Sequence, residues 1–174
     1  MIVADAPPLI HLARAGLADL LPKLYERVVV PTSVWEEVSG HAGEPRPEAT
    51  VLQEASVSWL EVRTLPARAR RAAGSFVRGA PIGRAEADAI ALAEALRAAV
   101  LMDDRVAVDL ARMRGVETRW TTSVVLEAHR LGVLDRTAAR RAIEDLVATG
   151  LWIRQDILLR ILAVLADRRP DRLP

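Results

Sequence analysis

The chain has 174 residues, 51% of them hydrophobic and 27% charged, which suits one domain with a full apolar core and excludes a disordered composition. A formal net charge of +1 gives no general attraction to nucleic acid, and the absence of cysteine excludes disulfides, thiolate metal sites and cysteine nucleophiles, in keeping with a cytoplasmic location. No stretch reads as a signal peptide or a membrane span: the most apolar late segment, "ILLRILAVLA", is short and carries Arg160.

In chain order, Met1 to Ala4 reads as a short buried strand, and Pro7-Pro8 as a turn before a helical pattern through Leu9, Leu12, Leu17, Leu20 and Leu21. "RVVVP" (Arg27 to Pro31) is a β-branched strand stopped by proline. "TSVWEEV" then opens a helix, with Thr32 or Ser33 as N-cap and Glu36 and Glu37 in its first turns. "HAGEPRPEA" reads as a surface loop and "VSWLEVR" (Val57 to Arg63) alternates like a strand. "ARARRAAGSFVRG" is basic and Gly-punctuated, open to a helix, a mobile loop or both. Ala85 to Ala99 is a long Ala-rich helix, and "AVLMDD" is a strand ending on two aspartates. Val106 to Met113 is helical with Gly115 as its stop, "VETRW" is a further strand, and Ser123 to Leu131, Arg136 to Thr149 and Ile157 to Ala166 are three more helices. Strands alternating with helices imply a mainly parallel sheet covered on both faces.

Such a sheet binds ligands outside the carboxyl ends of its strands, near the point where strand order reverses. Asp5 directly follows the first strand, and Asp103 and Asp104 follow "AVLM". Glu36 and Glu37 lie on the helix after "RVVVP", and the helix leading into "AVLM" offers Asp88 or Glu86. Carboxylates gathered in one place repel and take up protons unless a counter-charge joins them. Mg²⁺ or Mn²⁺, with oxygen ligands, supplies it. Two such ions, typically about 3.5–4 Å apart, activate a water and stabilise the leaving oxygen of a phosphodiester, so phosphodiester hydrolysis is the reaction these acids suit. Glu86 and Asp88 cannot both aim the same way on a regular helix, since two residues advance about 200°. Glu86, nearer the helix start, has the easier explanation in the helix dipole.

Four stretches in order, "VADAPPLIHLARAGLADLLPKLYERVVVPTSVWEEV", "GRAEADAIALAEAL", "AVLMDDRVAVDLARMRGV" and "TSVVLEAHRLGVLD", resemble the PIN-domain superfamily. Within it they are most similar to a VapC-like branch of toxin nucleases classed as a domain of unknown function. The resemblance runs from Ile2 to about Asp135 and more loosely through Leu165. It implies a three-layer α/β/α sandwich around a central parallel sheet, with a nuclease domain over residues 1–135 and a helical extension, 136–174, packed on the same domain. It further implies a Mg²⁺- or Mn²⁺-dependent endoribonuclease acting on RNA, as the toxin of a pair whose partner is a small antitoxin protein. Carried over residue by residue, Asp5 matches the first-strand aspartate and Glu37 the glutamate of a V-x-x-E pattern. Asp88 matches the acid heading a D-A-x-A helix, and Asp104 the aspartate after the fourth strand, with Asp103 able to exchange roles with it. Asp5 and Asp104 are then expected as direct metal ligands, with Glu37 and Asp88 completing the site. Members of the family carry a small hydroxyl residue two positions after the first aspartate. This chain has Pro7 there, which lacks both a hydroxyl and a backbone donor. That departure favours an alternative: a degenerate member that holds RNA or a protein without cutting.

Each acid also has a plain structural reading. Asp5 suits a turn before Pro-Pro, Asp104 an N-cap, and Glu36 a capping box with Ser33. His11, His41 and His129 lack metal-like spacing. Arg68, Arg70, Arg71 and Arg78 suit either an RNA backbone or a solvated face. Trp35, Trp59, Trp120 and Trp152 suit core or interface, and "WIRQDILLRILAVL" is the stretch best fitted to a homodimer seam. A haloacid-dehalogenase-like phosphatase would need an aspartate at position 7, and a receiver domain a lysine after a late strand. The chain offers Pro7, and Lys23 is its only lysine.

Overall fold

The computed structural model describes residues 1–40 and 47–166. Five strands, β1 (Ile2–Ala4), β2 (Val28–Pro31), β3 (Leu60–Arg63), β4 (Ala99–Leu101) and β5 (Thr118–Arg119), pair in parallel in the order β3-β2-β1-β4-β5. Their inner members are apolar at every position rather than at alternate ones: Ile2, Val3, Ala4, Val28, Val29, Val30, Val100 and Leu101 are at most 1% exposed. A parallel sheet demands this, because helices must cover both of its faces.

The helices are α1 (Ala6–Arg14), α2 (Leu20–Leu24), α3 (Thr32–Val38), α4 (Pro47–Ser58), α5 (Ala67–Gly79), α6 (Arg84–Leu96), α7 (Arg105–Met113), α8 (Thr121–Arg130), α9 (Arg136–Ala148) and α10 (Gln155–Ala166). Right-handed crossovers put the connections of β1 to β2 to β3 on one face and those leading to β4 and β5 on the other. The packing follows: α1 contacts α4, α8 and α9, while α6 contacts α5 and α7. The result is a three-layer α/β/α sandwich. α3 touches both α1 and α6, which places it at the end of the sheet between the two layers. Ala87 to Ala93 are buried without a break, and the small alanines let the sheet, α3, α5 and α7 close on α6 from several sides. α9 packs on α8 and α1, and α10 on α9. Among the described residues no helix is long and apolar enough to cross a membrane.

Several elements differ from their sequence reading. Pro7 and Pro8 form no turn but stand in the first turn of α1, where backbone N–H groups lack helical partners and proline costs no hydrogen bond. Pro31, not Thr32 or Ser33, is the N-cap of α3, so the expected box between Ser33 and Glu36 does not form. Glu86 instead reaches back to the Gly83 N–H at 2.5 Å, at the start of α6. Val57 and Ser58 belong to α4, and β3 begins only at Leu60. α4 itself has no counterpart in the sequence reading; it opens inside the expected loop, whose residues 41–46, with His41, lie outside the described ones. The basic stretch 67–79 is helical throughout.

Candidate active site

The order in which strands are added reverses between β1 and β4, and Asp5 leaves β1 at that point, its N–H donating to the Leu101 carbonyl of β4 at 3.0 Å. It occupies the N-cap position of α1 yet makes no cap hydrogen bond. The cause lies in the next residues. An N-cap aspartate accepts from the second or third helical N–H, and here those positions are Pro7 and Pro8, which have none. The side chain is also enclosed: Asp5 is 1% exposed and both carboxylate oxygens lack a partner. Burial pushes its pKa up to about 7. The charges of Glu86, Glu37 and Asp103 add to the rise, and the nearby Ala6 amide, not aligned for a hydrogen bond, offsets part of it.

The other acids divide into those that act on Asp5 and those held elsewhere. Asp103, half-buried after β4, accepts from the Thr121 N–H at 2.9 Å and from Thr121 Oγ1 at 2.5 Å, so the first residue of α8 fixes both of its oxygens. Burial raises its pKa, and the two Thr121 bonds work against the rise. Asp104 is exposed and caps α7, accepting from the Ala107 N–H at 2.8 Å through Oδ1. Of the two adjacent aspartates it is therefore Asp103 whose charge reaches Asp5. Asp88 is 4% exposed and committed: Oδ1 accepts from Arg84 Nε at 2.9 Å and Oδ2 from Ser33 Oγ at 2.8 Å, joining α6 to α3. The α6 acid whose charge is felt at Asp5 is Glu86, despite its bond to Gly83, and the α3 acid is Glu37, which is exposed.

A family model described as a PIN domain matches residues 1–167. The chain belongs to the PIN-domain family. No curated protein matches it. The PIN fold is of nuclease type, and its members typically use divalent metals. Among the described residues of this PIN domain, no three His, Asp or Glu side chains are grouped so as to enclose an ion. The donor set nonetheless fits one: it is all oxygen, it centres on a buried carboxylate with both oxygens unbonded, and three further acids raise the negative potential there.

Two residues near the acids of this PIN domain were not singled out from the sequence for a part in the site. Thr121 is wholly buried and holds Asp103; its only signal is a hydroxyl at a helix start directly after the last strand. His11, half-buried on α1, bonds through Nδ1 to Thr149 Oγ1 at 2.8 Å. The Thr149 hydroxyl donates to the Leu146 carbonyl at 2.6 Å, so His11 must be the donor, with its Nε2 lone pair left open. Burial lowers the His11 pKa, and the charge of Asp103 opposes that.

Proposed function

We propose that this PIN domain is a divalent-metal-dependent endoribonuclease, cutting RNA as the toxin of a toxin–antitoxin pair. The observation that carries the reading is Asp5: a buried carboxylate at the sheet's switch point, with both oxygens unbonded and three acids acting on it. Such a group is costly to keep ionised unless a cation joins it. Asp5 and Asp103 would hold Mg²⁺ or Mn²⁺, with Glu37 and Glu86 near enough to share the charge. Asp104 would contribute through the oxygen its cap leaves to solvent. Asp88 would act through Ser33 and Arg84, keeping α3 and α6 in register at the site. When bound, a divalent ion supplies water activation and charge stabilisation at the leaving oxygen.

The same proposal includes a nuclease domain over 1–135 with residues 136–174 as an extension packed on it, a small antitoxin partner, a cytoplasmic site of action and a homodimer. Trp152 and Leu159, 80% and 60% exposed, support a seam along the apolar C-terminal stretch. Pro7 supports a second reading, an RNA- or protein-binding module without turnover, because the hydroxyl that family members carry is missing beside Asp5.

The test incubates purified protein with labelled structured and unstructured RNAs in Mn²⁺, Mg²⁺ or EDTA, beside an Asp5→Asn variant prepared identically. The expected result is cleavage that needs metal and is lost in the variant. RNA left intact, or cut equally by both proteins, would move the binding reading ahead.

A further inference from the structure

We infer that the outer face of α5 is the grip for the RNA strand, contacting its phosphates rather than its bases. The inference rests on the ribonuclease reading and deepens it by naming where the substrate lies. α5 buries Ala69, Ala73 and Phe76. At 100° per residue, Arg71 and Arg78 point within about 15° of the opposite direction, with Arg68 and Arg70 flanking them on either side. All four are exposed, and the helix carries no acid. Arg71 and Arg78 are two turns apart, about 10 Å along the axis.

Two independent observations separate this face from an ordinary solvated one. Elsewhere among the described residues ten of fifteen arginines face a carboxylate, as Arg14 does Glu48, Arg84 Asp88 and Arg114 Glu94, while Arg97, Arg112, Arg136, Arg141 and Arg160 do not; on α5 none of the four does. Among the described residues Arg68, Arg71 and Arg78 have no ion pair, and Arg70 bonds only to the Leu65 carbonyl at 3.2 Å. Second, Arg68, Arg70 and Arg71 stand within the first five residues of α5, at the positive end of the helix dipole, where cations lower helix stability. A helix that keeps three arginines there gives up stability to concentrate positive potential. Guanidinium forks suit phosphate oxygens. No aromatic side chain lies on this face to stack a base, so recognition should be tolerant of sequence. α5 also packs against α6, the helix that carries Glu86 and Asp88.

The test measures binding of a fluorescent single-stranded RNA by anisotropy, in EDTA and on the Asp5→Asn background, across a salt series. Arg68→Gln/Arg71→Gln/Arg78→Gln is compared with the triple lysine variant, circular dichroism reporting the fold of each. Loss of three phosphate contacts should reduce the slope of log affinity against log salt by about 2. Affinity at low salt should fall at least ten-fold, with most of it retained by the lysine variant. An unchanged slope in a folded glutamine variant, or no RNA binding at all, overturns the inference. Loss of polyglutamate binding without RNA binding would also overturn it, assigning the face to an acidic protein. The two readings fail separately: RNA held by the ridge but never cut with Mn²⁺ sinks only the nuclease, and wild-type cutting by the glutamine variant sinks only the ridge.

Discussion

Asp5 couples the site to pH with an unusual sign. Its folded pKa, about 7, lies above the ordinary 3.8, so the native state binds its proton more tightly than the unfolded chain does. Below pH 3.8 both states are protonated and nothing is lost. Between there and 7 the unfolded state ionises first and stability falls, by about 4 kcal/mol in all, and above 7 the loss is complete. Burial raises Asp103 in the same direction. Thermal denaturation of metal-free protein should therefore show a melting temperature that drops from pH 4 to 8. Asp5→Asn should flatten much of the drop, and Mn²⁺ at pH 8 should raise the melting temperature of the wild type more than that of the variant. A pH-independent difference between the two would mean that Asp5 is not protonated in the fold. Residue-level legibility was uneven for concrete reasons. Asp5 stands out because it follows an apolar strand directly. Asp103 and Asp104 are adjacent; the helix that follows made a cap at Asp104 legible, but only the bonds to Thr121, 18 positions on, show that Asp103 is the one held at the site. Glu86 and Asp88 are both acids near one helix start, and Ser33, 55 positions before Asp88, decides which is tied down.

At the scale of elements, α7 offers a separation of stability from chemistry. Asparagine caps a helix about as well as aspartate, while alanine loses about 1 kcal/mol. Asp104→Asn should keep the denaturation midpoint of the wild type yet lose metal-dependent cleavage, and Asp104→Ala should lose both. Cleavage unchanged in the asparagine variant would reduce Asp104 to a cap. The alternation of strand and helix was legible because fully buried strands and Ala-rich helices leave strong patterns. α4 was not, because Leu52 is its one large fully buried apolar side chain and it otherwise buries Ala49, Ala55 and Glu48, the last paired with Arg14, which together give little periodic apolar signal. The helix start at Pro7-Pro8 was misread because proline marks a turn and a first helical turn alike. The same dipeptide is what leaves Asp5 uncapped.

At the scale of the whole molecule, the C-terminal helices test whether the chain unfolds as one body. α9 buries Ala139, Ala142, Ile143 and Leu146 and lies against α1, the helix that follows Asp5. Ile143→Ala should cost about 2–5 kcal/mol. If the extension belongs to the same domain, the loss appears as one shifted transition, coincident by tryptophan fluorescence and far-ultraviolet circular dichroism. Two separated transitions would make residues 136–166 an independent unit. The order β3-β2-β1-β4-β5 carries a last consequence. Asp5 and the Thr121 that holds Asp103 stand more than a hundred residues apart, on opposite sides of a crossover. No short segment of the chain therefore contains the acidic centre. It is completed only when β4 and α8 dock beside β1, so a chain cut before Thr121 would keep Asp5 and lose the centre around it.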